Sequence, residues 1–311
     1  MISIKFVLQS PPMNPKFINW LIFISLSFIW GSSFILMKEG LEHLSAFQVA
    51  SIRIISSGLV LLPIAIRAIG KVPRNKFLYI FLSGVLGSLL PAYLFCIAEQ
   101  GIDSSLAGTL NSLTPIFVII NGALFFKSRT STNKVIGILV AFSGSVLLFF
   151  SQPDFAQNSN LLYISYVVLA TFFYGMNVNM VHKELSGIPS LQIAAIALSS
   201  NAIPAFVVLY FTGYFSMDLS NAGLLASTGF SCILGVLGTA VASIIFYMLI
   251  KRAGAVFSSM VTYGIPFVAI LWGVIYQERI GWKQVLCLLI ILLGVYIVNR
   301  KGKSSEINQH K

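Results

Sequence analysis

Ten stretches of this 311-residue chain are apolar over about the length that a bilayer core demands, and they leave room for little else. They run from Phe17 to Met37, Ala46 to Ile66, Phe77 to Ala98, Ser104 to Phe126, Val135 to Phe150, Leu161 to Val181, Leu191 to Phe211, Leu224 to Ile250, Val256 to Tyr276 and Val285 to Val298. In lipid every backbone donor and acceptor has to be satisfied within the protein, so the expected fold is an all-α integral membrane bundle of ten transmembrane helices. Charged residues make up only 9% of the chain against 57% hydrophobic ones, too few to solvate a water-soluble fold of this size. The connections are brief, which leaves no space for a soluble domain or a structured catalytic insert.

Within these runs the chain repeats itself. Gly84-Val85-Leu86-Gly87 returns as Gly235-Val236-Leu237-Gly238, and Pro115, Ile119 and Gly122 return as Pro266, Ile270 and Gly273, all 151 residues on. The opening helices also correspond, Trp30-Gly31 with Tyr174-Gly175 and Lys38-Glu39 with Lys183-Glu184, with a one-residue slip between the pairs. The halves are 17–150 and 161–299, flanked by an N-terminal segment 1–16 and a basic tail 300–311 and joined by a polar linker 151–160. Each holds five spans. Because five is odd, two copies of one fold must enter the membrane from opposite sides, which makes them inverted repeats.

The net charge of +11 raises the question of nucleic acid, but its distribution points to topology instead. With the N-terminus placed in the cytoplasm, sixteen of the twenty Lys and Arg fall on inner segments, including Arg67, Lys71, Arg74 and Lys76 in one loop. Lys38, Arg279 and Lys283 fall outside and Arg53 lies within a helix. That asymmetry puts both termini in the cytoplasm, with basic residues against anionic lipid and no nucleic-acid partner. The first sixteen residues show no cleavage site, so the first helix reads as an uncleaved anchor. Cys96, Cys232 and Cys287 are isolated within helices and imply neither disulfide nor metal.

Several short motifs recur in a fixed order. They are Trp30-Gly31-Ser32-Ser33-Phe34, Gly101-Ile102-Asp103-Ser104-Ser105-Leu106-Ala107, Thr114-Pro115-Ile116-Phe117, and then Gly137 and Gly144. In the second half stand Lys251-Arg252-Ala253-Gly254-Ala255, Ile265-Pro266-Phe267, Gln277-Glu278-Arg279 and Gly294-Val295. Over nearly its whole length the chain resembles the EamA-type transporters of the drug/metabolite transporter superfamily, whose members carry two five-helix repeats. One position departs from the pattern: the first half has Lys127 where the second has Glu278.

Recognition is expected from neutral and aromatic side chains. Pro115 and Pro266 stand mid-helix and remove the hydrogen bond to the carbonyl of Asn111 and of Thr262, a break at which a helix either lines a cavity or merely kinks. Trp30 and Ser33 on the first helix match Tyr174 and Asn177 on the sixth, an aromatic wall with one hydrogen-bonding group from each half. Thr114, Tyr93, Tyr247 and Tyr263 complete the candidate substrate-binding set. Such a lining suits an amphipathic metabolite or an amino-acid-like solute. Arg53, about 10 Å into its span, needs either water or a carboxylate such as Glu39 or Glu99. Glu99 and Glu278 are the acids nearest the spans, and by position no acid or histidine occupies a span centre, so no buried carboxylate is expected to carry protons.

With no Walker-type loop and no metal or acid pair, neither an enzyme nor an ATP-driven pump is expected, and no cofactor. The expectation is a secondary transporter of the bacterial inner membrane that exports a small solute by alternating access. A channel-like facilitator and a non-transporting sensor or assembly subunit stand as alternatives, with the oligomeric state, monomer or homodimer, left open.

Overall fold

The computed structural model describes residues 14–151, 160–218, 220–275 and 281–299. Ten of its helices are long and apolar enough to cross a membrane: α1 (Pro15–Leu41), α2 (Ala46–Ile69), α3 (Arg74–Ala98), α4 (Leu106–Phe126), α5 (Thr132–Phe150), α6 (Leu161–Glu184), α7 (Ser190–Phe211), α8 (Ala222–Ala253), α9 (Ala255–Trp272) and α10 (Trp282–Asn299). Large apolar side chains cover the outside of the bundle; Ile203 is 70% and Phe211 81% exposed, an arrangement that only lipid solvates. The protein is a multi-pass membrane protein.

Since lipid is as apolar as leucine, close packing and interhelical hydrogen bonds must join these helices. One close approach is between α5 and α10. A Cβ on Gly137 would come within 2.7 Å of the Gly294 carbonyl, and one on Gly294 would strike the Ala141 backbone. The α2–α7 seam works the same way, with Gly58 against the Leu198 carbonyl and Ser199 Oγ donating to the Gly58 carbonyl at 2.9 Å. Between α4 and α6, Asn121 Nδ2 donates to the Phe172 carbonyl (2.9 Å) and Asn179 Nδ2 to the Val118 carbonyl (2.8 Å).

Partners are exchanged in pairs between the halves. The seams α4–α6 and α3–α6 have counterparts in α9–α1 and α8–α1, while α2 packs on α7 and α5 on α10. Both α3 and α8 carry a π-helical stretch, Val85–Leu89 and Leu234–Val241, laid over the two copies of the Gly-Val-Leu-Gly block. A π-turn shifts the ladder and exposes backbone carbonyls, which lipid cannot satisfy. Side chains supply the missing donors at equivalent places. Asn201 Nδ2 on α7 reaches the Phe81 carbonyl (3.3 Å), and Ser56 Oγ on α2 reaches the Cys232 carbonyl (3.5 Å).

The two prolines are not mid-helix, contrary to the sequence-based expectation. The fourth span is divided into helical segments Ser104–Asn111 and Thr114–Phe126, and the ninth passes through a 3-10 stretch, Met260–Gly264, before Ile265–Ile275. Pro115 and Pro266 are each the second residue of the new segment, where a missing N–H is tolerated and the fixed φ favours helix initiation.

One end of the bundle is drawn together by basic side chains. Lys76 Nζ pairs with Glu184 (3.4 Å), Lys183 Nζ donates to the Phe126 carbonyl (2.9 Å), Arg252 Nε to Asn19 Oδ1 (2.9 Å) and Lys251 Nζ to the Ile188 carbonyl. The connections after α1, α3 and α7 lie at the other end, where Gln48 Nε2 donates to the Thr212 carbonyl.

Candidate functional site

A cavity lies at the centre of the bundle, between the halves. From α1 it takes Trp30, Ser33, Phe34 and Met37, from α2 Arg53, from α3 Gly87, Ser88 and Phe95, and from α4 Asn111 and Thr114. The second half supplies Tyr174, Asn177 and Val178 on α6, then Gly238, Thr239, Ser243, Phe246 and Tyr247 on α8, and Ser259 and Thr262 on α9. The helices α5, α7 and α10 contribute nothing to its wall, in keeping with their role in the outer seams.

Seven pairs in this lining are repeat equivalents. Trp30 and Tyr174, Ser33 and Asn177, and Phe34 and Val178 are each 144 residues apart. Gly87 and Gly238, Ser88 and Thr239, Phe95 and Phe246, and Asn111 and Thr262 are each 151 apart. The glycines sit where the π-helical stretches come nearest the facing helices: a Cβ on Gly238 would stand 2.7 Å from Ser33 Oγ, and one on Gly87 would overlap the Asn177 amide. Trp30 Nε1 donates to the Gly238 carbonyl at 3.2 Å, so the indole both walls the cavity and satisfies a π-turn carbonyl. Its ring meets Phe246 edge-on at 4.9 Å, while Tyr174 stacks on Phe95 at 6.0 Å. Offset and edge-on rings of this kind hold one another rigid.

Most of the sequence-derived candidates converge here: Trp30, Ser33, Asn111, Thr114, Tyr174, Asn177, Tyr247 and Thr262 all face the cavity, and Arg53 with them. Tyr93 does not. Its hydroxyl bonds Ser51 Oγ (2.7 Å) and its ring leans on Phe47, which ties α3 to α2. Tyr263 is wholly buried between α9 and α5, donating to the Ile138 carbonyl at 3.0 Å, because the 3-10 turn rotates it away from Thr262. Pro115 and Pro266 set the segment starts behind the wall. Glu278 lies outside the described residues.

The residues that sequence reasoning missed are Phe34, Met37, Phe95, Val178, Ser243, Phe246 and Ser259, together with the wall-forming role of Gly87, Ser88, Gly238 and Thr239. Phe95 and Phe246 carried a usable signal, since they repeat at the same interval as the glycine block.

The charged groups differ from expectation as well. Arg53 makes no ion pair with a carboxylate among the described residues; its Nε donates to Thr239 Oγ1 at 2.7 Å, bridging the halves. Glu99, peripheral by sequence, is half-buried, with its carboxylate turned inward. Both carboxylate oxygens are sealed from solvent without a hydrogen bond of good geometry, and two residues on, Gly101 rests against the Tyr163 ring. Burial pushes its pKa up to about 8, opposed in part by the Ser104 hydroxyl and by the charges of Arg53 and Lys38.

Known proteins match this chain over most of its length. It is 28% identical over 287 residues to an uncharacterized transporter of Archaeoglobus fulgidus, covering 91% of this chain and 99% of that one. A probable amino-acid metabolite efflux pump of Escherichia coli is 25% identical, with 86% and 90% covered. One protein of known structure shares the fold with a TM-score of 0.68 at 13% identity, over 90% of this chain and 96% of the other. The EamA-like transporter family matches residues 18–150 and 161–300. The chain belongs to the EamA-like transporter family.

Proposed function

We propose that this protein is a secondary transporter that moves a small amphipathic or amino-acid-like solute by alternating access, with the central cavity as its binding site. The observation that carries this reading is the pairing of the lining. A cavity walled by equivalent residues of two halves lets each half adopt the other's conformation, so that the same wall opens to one side and then the other. Aromatic faces from Trp30, Phe95, Tyr174, Phe246 and Tyr247, with Ser33, Asn111, Asn177 and Thr262 among them, match the mixed lining of a small-molecule site. Chemical change of the solute is no part of this proposal. The name of the Escherichia coli relative supports export and an amino-acid-related solute.

In this reading the repeats are inverted about an axis in the membrane plane. Both termini and the basic end of the bundle face the cytoplasm of a bacterial inner membrane, a placement that the charge asymmetry supports. Purified protein in sealed vesicles tests the activity: flux that saturates and is stimulated by solute on the far side supports the carrier. Linear flux without stimulation marks a facilitator, and binding without flux a sensor; either outcome overturns the proposal.

A further inference from the structure

Against the paired lining, two ionisable groups have no counterpart. Arg53 occupies in α2 the place that Ala197 occupies in α7: a Cβ on Gly235 would meet the Arg53 carbonyl, a Cβ on Gly84 the Ala197 carbonyl, and the two residues are 144 apart. Glu99 at the end of α3 corresponds, at the 151 interval, to Ile250 in α8, which is fully buried. The guanidinium and the carboxyl thus appear together in one half and are both replaced by apolar residues in the other. Inversion places them on one side of the cavity alone.

Arg53 lines the cavity and bonds the protein through Nε, which donates to Thr239 Oγ1, and no hydrogen bond or ion pair engages its Nη atoms among the described residues. A guanidinium in that state presents the planar fork that a carboxylate fits. No Asp or Glu lines the cavity among the described residues. Glu99, one helical turn beyond Phe95, is near enough to feel Arg53 but does not touch it, and the burial of both its oxygens, against which the Ser104 hydroxyl offers only partial compensation, favours the neutral acid. The cavity therefore carries an uncompensated positive charge beside aromatic walls.

We propose that the solute is a net monoanion, a carboxylic acid with an apolar body seated on Arg53, in preference to a zwitterionic amino acid or a neutral amide, and that Glu99 sets the pH range over which it binds. The proposal rests on the cavity being the solute site. A bound carboxylate disfavours ionisation of Glu99, so binding is strongest while Glu99 is neutral and weakens as the pH rises through about 8. Other groups around Glu99 are Lys38 from α1, the Cys96 thiol on its own helix, the Ser104 hydroxyl and Asp103 at the start of the next segment, and Tyr163 from α6 against Gly101. None of these places a carboxylate in the cavity wall.

The test is binding to purified protein in lipid nanodiscs, using a panel of matched trios: 3-phenylpropanoate, its primary amide and phenylalanine, and the same three forms of 4-methylpentanoate with leucine. At pH 7 at least one acid should bind about tenfold or more tightly than its amide and its amino acid, the size expected of a charge-assisted pair. Arg53→Gln should bring acid and amide to within about twofold of each other, and Arg53→Lys should restore part of the preference. In the wild type the preference should fall between pH 7 and pH 9, and Glu99→Gln should hold it at its pH 7 value throughout. Amides that bind as well as acids, or a preference that survives Arg53→Gln, overturn the inference and leave the cavity as the solute site. A pH dependence unchanged in Glu99→Gln overturns the role given to that residue. If no member of either trio binds, the reading of the cavity falls with it.

Discussion

Trp30, Ser33 and Gly238 on one side of the cavity and Tyr174, Asn177 and Gly87 on the other are built alike, yet Arg53 faces no equivalent charge and Glu99 none either, their places being taken by Ala197 and Ile250. The two copies match at the close approaches of Gly84, Gly87, Gly235 and Gly238 and differ at charged positions beside the cavity. The reason is physical. A glycine against a neighbouring carbonyl admits no alternative, whereas a cavity wall tolerates any side chain that satisfies its own hydrogen bonds and charge.

The widest gap should separate seam from surface. Gly294→Val drives a side chain into the Ala141 backbone, whereas a Cβ on the exposed Gly229 meets nothing within 4 Å, which leaves room for Gly229→Val. Overpacking of a close seam costs about 1–3 kcal/mol or more. Gly294→Val should therefore lose most of its monodisperse protein in detergent and melt well below the wild type, while Gly229→Val melts with it. Equal behaviour of the two would break the distinction between the α5–α10 seam and the rest.

A smaller effect, confined to function, is expected at the paired glycines. Gly87→Ala crowds Asn177 and Gly238→Ala crowds Ser33, in both cases against flexible side-chain atoms rather than backbone. Each should fold and each should slow solute flux by about tenfold, since a shift of this kind at a well-packed contact costs on the order of 1–3 kcal/mol. If one variant is inert and the other wild-type, the halves do not act as equivalents.

Smaller again are single contacts. Trp30→Ala removes a ring from the wall and a donor from the Gly238 carbonyl, and Asn177→Ala removes one amide. A hydrogen bond is worth about 1 kcal/mol and an aromatic contact a comparable amount. Affinity measured by titration should weaken about fivefold in each variant, with Trp30→Ala also losing some stability. A larger loss in Asn177→Ala than in Trp30→Ala would show that one half dominates recognition.

Much of this organisation is legible without coordinates. Hydropathy places all ten spans to within a few residues, and the interval of 151 finds the blocks that become the π-helical stretches. Pairing Trp30 with Tyr174, Ser33 with Asn177 and Asn111 with Thr262 finds three of the seven wall pairs. The rest depends on facts that a linear pattern does not carry. A π-turn rotates everything after it, which brings Phe95 and Phe246 inward; the 3-10 turn at Met260–Gly264 turns Tyr263 outward while Thr262 stays in the wall. Sequence position also misjudged Glu99, because a residue at a helix end is exposed only if nothing is folded over it.

The claim that ties the account together is that Asn111 and Thr262, equivalent residues on broken helices, face one solute-filled cavity. Single cysteines at these positions, in a background where Cys96, Cys232 and Cys287 are replaced, can be titrated with a small polar thiol reagent in vesicles, with and without a transported solute. The account predicts that both react and that solute slows both reactions together. Two cysteines that stay inert in an active transporter, or that react at a rate the solute does not change, would contradict it.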